Sequence, residues 1–254
     1  MNLFELAFAS FLYSGLTGYR ESYLEFRRKV GGDPDFAIPA HHDFLLDWLN
    51  RWGCRFERDK RPRASSAIGQ WHRRYGSNLC PAAKGIWGLN HKELDALDAA
   101  YQDLRDRPVF CSERGGKAAG RRIGPTAASK ILFALRPRAA LAWDEKMRNG
   151  LRRTLGVTTY RQFLSLGKDE SIALERQCRE HGIDLDGLPE TLNRAEATLA
   201  QLIGEYYWVI HTKGIVMPDP EVLERWLSWS KAPASFGPPA AAVKGAGSDR
   251  HPHA

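Results

Sequence analysis

Acidic residues are almost missing from one long stretch of this chain. Between positions 114 and 153 only Asp144 and Glu145 are acidic, against eleven basic residues: Arg114, Lys117, Arg121, Arg122, Lys130, Arg136, Arg138, Lys146, Arg148, Arg152 and Arg153. The whole 254-residue protein carries a formal charge of only +7, so the positive charge is focused and the remainder is slightly acidic. A focused field of this sign is the footprint of a polyanionic partner. The plainer alternative is a set of solvated, arginine-rich helix faces.

Cysteine is also scarce. Cys54, Cys80, Cys111 and Cys178 are widely spread and include no C-x-x-C pair, which leaves no closely spaced ligand set for zinc or an iron–sulfur cluster. They read as buried thiols in a reducing cytoplasm, and no metal or cofactor is expected. No apolar run approaches the roughly 20 residues of a membrane span. Residues 3–16 are apolar, yet they lack a basic leader and a small-residue cleavage site, and Glu5 interrupts them. They read as an amphipathic core helix rather than a signal peptide.

What is present is helical periodicity. Apolar residues recur at three and four in Phe44-Leu45-Trp48-Leu49-Trp52, Leu94-Leu97-Tyr101-Leu104, Ile131-Leu132-Leu135 and Ala195-Leu199-Leu202-Ile203-Tyr206, each the mark of one buried helical stripe. Alternating strand patterns are absent or very short. Gly and Pro breaks divide the chain into about ten helices, and with 43% hydrophobic and 11% aromatic residues the chain has enough apolar material for a sizeable core. An all-α domain is expected over 1–232. From Pro233 onward Ala, Pro and Gly dominate, so 233–254 reads as a disordered tail.

The segment 120–156 carries the chemistry. Ile123-Gly124-Pro125-Thr126 suits a helix start: glycine permits close backbone approach, proline fits the first turn, and threonine can satisfy a free amide. Unpaired N–H groups at such a terminus bind a phosphate well. The helix runs through Lys130 and Leu135 and stops before Pro137. A short connection then delivers Asp144 at the head of a second helix, Glu145–Leu155.

That order resembles the helix-hairpin-helix DNA glycosylase superfamily, in which a G-x-G hairpin is followed, after one helix and a loop, by an essential aspartate. The resemblance covers residues 120–156, with Ala128 four residues and Trp143-Asp144 about twenty residues after Gly124. Arg122 stands where the first hairpin glycine is usual, Trp143 replaces a small aliphatic, and Lys146 stands where histidine is common. Pro125 and Thr126 occupy the place of the nucleophilic lysine of bifunctional members, and Lys130 lies a turn further on. The four C-terminal cluster cysteines of some members are missing.

The resemblance implies a two-lobed, all-α fold with a cleft between the lobes. It also implies a monofunctional enzyme that flips out a modified base of duplex DNA and hydrolyses its N-glycosidic bond, leaving an abasic site. Asp144 would stabilise the oxocarbenium-like sugar. DNA would be held by Arg121, Arg122, Ile123, Gly124, Pro125, Thr126, Lys130, Lys117 and Arg148, with Arg114 to Arg122 as a flexible basic loop. A monomeric, cytoplasmic, nucleoid-associated protein with no membrane partner is expected, acting either in base excision repair or, as in glycosylase-like antiviral defence proteins, on phage DNA with modified cytosines.

Softer candidates for a base pocket are Trp143, Trp71, His72 and His42, since aromatics interleaved with cations suit stacking on bases; a helix with one buried side is the alternative. Trp48 and Trp52, four apart, read as core. Asp144 could equally serve as a helix cap. Two further readings of the whole chain stand beside the enzyme: a non-catalytic DNA-binding module and an all-helical protein-interaction domain.

Overall fold

The computed structural model describes residues 1–114, 117–219, 221–223 and 225, with the backbone alone over 110–121. The compact unit is Met1–Met217, which lies within the expected span 1–232. The expected tail, 233–254, lies entirely outside the described residues. Beyond the compact unit, Asp219 accepts backbone N–H bonds from Glu221, Val222 and Leu223.

The described residues form ten α-helices and one antiparallel ribbon. In order these are α1 (Leu3–Leu16), α2 (Tyr19–Lys29), α3 (Pro39–Arg51), α4 (Arg61–Tyr75), α5 (His91–Asp106), β1 (Pro108–Arg114), β2 (Lys117–Arg122), α6 (Gly124–Leu135), α7 (Glu145–Leu155), α8 (Tyr160–Glu180), α9 (Leu188–Thr191) and α10 (Leu199–His211). The protein is predominantly helical, as the periodicity predicts. No described helix is long and apolar enough to cross a membrane.

Helix α6 lies at the centre. Every residue from Ala127 to Leu135 is buried, Ser129 and Lys130 included, the pattern of a helix enclosed on all sides rather than one with a single apolar face. Its small residues allow close approach by α5, which buries Leu94, Leu97, Ala100, Tyr101 and Leu104. Helix α1 packs along α10, and α7 also meets α10. An Asn2–Glu5 capping box starts α1, and Asn90–Glu93 does the same for α5; each satisfies two otherwise orphaned donors.

The ribbon corrects the expected flexible loop. Residues 108–114 and 117–122 form paired strands, with Cα partners running from Pro108↔Arg122 to Arg114↔Lys117. The ribbon is an excursion between two packed helices: the Ile123 N–H donates to the Arg107 carbonyl at 3.0 Å, so the chain returns to the point it left. Strand β1 runs beside α4. The pattern Val-Phe-Cys-Ser-Glu-Arg does not alternate cleanly, which is why periodicity alone passes over it.

Candidate functional site

Helix α6 begins on a turn that requires glycine. Gly124 has φ +80°, the left-handed region that other residues enter only with strain. No side chain caps this helix. Thr126, expected to satisfy a free amide there, instead accepts a hydrogen bond from Arg148 Nη1 at 3.0 Å. The first amides of α6 therefore keep their donor capacity.

Ser129 ties α6 to the strand-like connection that precedes α7. Its buried hydroxyl accepts the Trp143 N–H at 3.2 Å and lies 3.2 Å from the Trp143 carbonyl and 3.0 Å from the Thr126 carbonyl. The next residue, Asp144, is the N-cap of α7: its Oδ1 accepts the Met147 N–H at 2.8 Å. From the end of α10 the Thr212 hydroxyl reaches the same carboxylate, 3.0 Å from Oδ1 and 2.9 Å from Oδ2. A carboxylate offers about four lone-pair positions, so two donated protons leave Asp144 with accepting capacity on its half-buried side.

These elements surround one cavity of about 550 Å³, lined by Ile123, Gly124, Pro125 and Thr126 on one wall and by Trp143, Asp144 and Arg148 on the next. The volume falls within the range of small-molecule pockets. Aromatic rings line it as well. Tyr19 lies 5.3 Å from Trp52 and 6.0 Å from Trp208 between ring centroids, and Tyr13 stands edge-on to Trp208 at 5.1 Å. All four line the cavity, and Tyr19, Trp52 and Trp208 are only half-buried.

Lys130 also lines the cavity but faces inward rather than toward a phosphate-accessible surface. It is 7% exposed, its Nζ donates to the Trp52 carbonyl at 2.7 Å and sits 5.2 Å over the Trp52 ring. Burial lowers its pKa below the ordinary lysine value, while Cys54 and Asp144 pull the other way. Glu205, a buried carboxyl at the cavity wall, is saturated: Arg194 holds both its oxygens and Gln201 donates to one. Burial raises its pKa despite that arginine. The two remaining carboxylates at the cavity are the half-buried Asp144, which keeps accepting capacity beside its Met147 and Thr212 bonds, and the exposed Glu145.

Of the expected residues, Asp144, Ile123, Gly124, Pro125, Thr126, Lys130, Arg148 and Trp143 come together around this cavity. Three of the base-pocket candidates do not. Trp71 is fully buried with its Nε1 donating to the Ala100 carbonyl. His42 is 4% exposed and bonded to Ser65 and the Phe36 carbonyl. His72 packs edge-on against Phe36. These three belong to packing around α4, not to the cavity wall. Arg122 is exposed, pairs with Asp106 at 3.1 Å and lies off the cavity lining. The side chains of Lys117 and Arg121 lie outside the described residues.

The residues missed by sequence reasoning are Tyr19, Trp52, Trp208, Ser129 and Thr212. Trp48 is core, as expected, at 2% exposure, but Trp52 one turn on points to the cavity. Among the described residues no group of three or more His, Cys, Asp or Glu is placed to hold a metal ion. No family model, curated protein or solved structure matches this chain.

Proposed function

We propose that this protein is a monofunctional DNA N-glycosylase of the helix-hairpin-helix type, with the cavity as the receptacle for a base flipped out of the duplex. The reading is carried by one observation: the Asp144 carboxylate and the Gly124 turn line the same aromatic-walled cavity. An uncapped helix start suits a backbone phosphate, rings suit a stacked base, and a carboxylate suits the sugar between them. The two-lobed arrangement of that superfamily is part of the same proposal.

In the reaction the C1′–N bond breaks and its electron pair leaves with the base. Positive charge grows on the sugar, where the Asp144 carboxylate stabilises it. A water oxygen then bonds to C1′, and a proton passes from that water to the departing base through solvent. Lys130 is held by the Trp52 carbonyl, and the nucleophile in this reading is water. The substrate class is a modified base in duplex DNA, including the modified cytosines of phage genomes. The protein acts as a monomer in the cytoplasm.

Abasic-site formation in a panel of modified duplexes, with parent and Asp144→Asn proteins, tests the reading. Alkali-labile breaks from the parent and none from the variant support it; full activity in the variant ends the role given to Asp144. A second reading, a non-catalytic DNA-binding module, draws on the Met147 and Thr212 bonds to Asp144, since both suit a purely structural cap. It predicts DNA binding by both proteins and abasic sites from neither.

A further inference from the structure

Two acid-poor stretches, distant in sequence, lie side by side. No Asp or Glu occurs between Asp59 and Glu93, a stretch that contains α4, and Glu113 is the sole acid among residues 107–122 against Arg107, Arg114, Lys117, Arg121 and Arg122. Helix α4 buries Ala64, Ala67, Ile68, Gly69 and Trp71. Its helical period therefore turns Arg63, Arg73 and Arg74 outward, and all three are exposed. Strand β1 runs beside this helix, and β2 leads directly into Ile123 and Gly124 on the cavity wall.

The acids beside this surface are themselves engaged by arginines, starting with Asp47, which pairs with Arg61 at the head of α4 at 2.7 Å. At the end of α5, Asp103 is bound by Arg107 at 2.6 Å and approached by Arg74 at 3.5 Å, while Asp106 is bound by Arg105 and Arg122. The Arg107–Asp103 pair is half-buried and stays in place, but the contacts of Arg74, Arg105 and Arg122 are more exposed and contribute little, so these three arginines can exchange a carboxylate for a phosphate.

We propose that the outer face of α4 and the ribbon form a second phosphate-binding surface, which grips the backbone of duplex DNA beyond the flipped nucleotide. The inference rests on the DNA reading above and adds where the rest of the duplex is held. Contacts of this kind set position and carry no sequence information. The ribbon is then an arm joining the α4 face to the cavity rim.

Two variants test it: Arg63→Gln with Arg73→Gln, and a chain in which residues 110–120 are replaced by a short glycine link. The second is closable because Ile123 bonds back to Arg107 and Pro108 pairs with Arg122. The probe is a short unmodified DNA duplex, titrated over a series of KCl concentrations. Each lost phosphate contact lowers the slope of log affinity against log salt by about 0.9, so the double variant is expected to lose about 1.8 and the trimmed chain to lose slope as well. Parental affinity and slope in the variants overturn the proposal. If the trimmed chain fails to fold, the double arginine variant decides alone. A parent that shows no salt-dependent binding defeats the DNA reading itself; a parent that binds and makes abasic sites, with variants that bind equally well, defeats only the second surface.

Discussion

Asp144 and Thr212 lie 68 positions apart in sequence, yet the Thr212 hydroxyl sits 2.9 Å from Asp144 Oδ2. The end of α10 thereby orients the carboxylate that starts α7. Asp144→Asn keeps the cap, since asparagine caps as well as aspartate, but removes the charge. Excision is expected to fall by about 10² to 10³, with duplex affinity and Tm near parental values. Asp144→Ala loses the cap too, about 1 kcal/mol, and melts lower. Abasic-site yield and thermal melts on both variants check this.

Ser129→Ala removes the tie between α6 and the residue before Asp144. The Trp143 N–H, which that hydroxyl accepts at 3.2 Å in a buried setting, is left without its partner, at a cost of about 1–3 kcal/mol. A lower denaturant midpoint together with slower excision is the expected result. An unchanged midpoint would show the tie to be dispensable.

Gly124→Ala tests the turn. The added Cβ meets nothing within 4 Å, but φ is +80°, so the penalty is backbone strain of about 1–2 kcal/mol. The variant is expected to melt lower and to bind duplex more weakly, as its helix start shifts. Retention of parental affinity at a lowered Tm would separate the turn from DNA holding.

Lys130 gives a pH signature. Burial disfavours its ammonium, so the folded protein releases this proton at lower pH than the unfolded chain, where lysine titrates near 10.5. Between those two pKa values the unfolded state binds more protons, and this residue's contribution makes stability rise with pH. Lys130→Met removes that contribution, so the parent-minus-variant stability difference climbs as pH rises from the lowered folded-state value toward 10.5. Chemical denaturation across that range reads it, and parallel curves would refute it.

Trp52→Ala opens the aromatic wall. Base–aromatic stacking is worth about 1–3 kcal/mol, so excision from a modified duplex is expected to weaken about ten- to a hundredfold. Affinity for unmodified duplex, which places no base in the cavity, should change little. Equal losses in both assays would move Trp52 from base capture to general support of the fold.

Much of the scaffold is legible in the sequence because local signals agree with the tertiary outcome. Gly124-Pro125 and Pro137 bound α6, and Asp144 with Gly156, in the left-handed region at φ +67°, brackets α7 as read. The histidine and tryptophan candidates near α4 mislead because composition alone does not say which face of a helix is inward; Trp71 follows the buried stripe. Tyr19, Trp52 and Trp208 come from the starts or ends of separate helices, and their meeting is a tertiary event that no local spacing encodes. Ser129 gives no signal of its own in an apolar helix, although its hydroxyl bonds both the N–H and the carbonyl of Trp143, the residue before Asp144.

The return of the chain at Ile123 to the carbonyl of Arg107 has an evolutionary reading. A loop whose two ends already touch can be lengthened or trimmed at modest entropic cost, without re-registering the helices on either side. Reach along a substrate and the chemistry at its centre can then drift separately among descendants of this chain, one by insertion between strands, the other by substitution at the cavity wall.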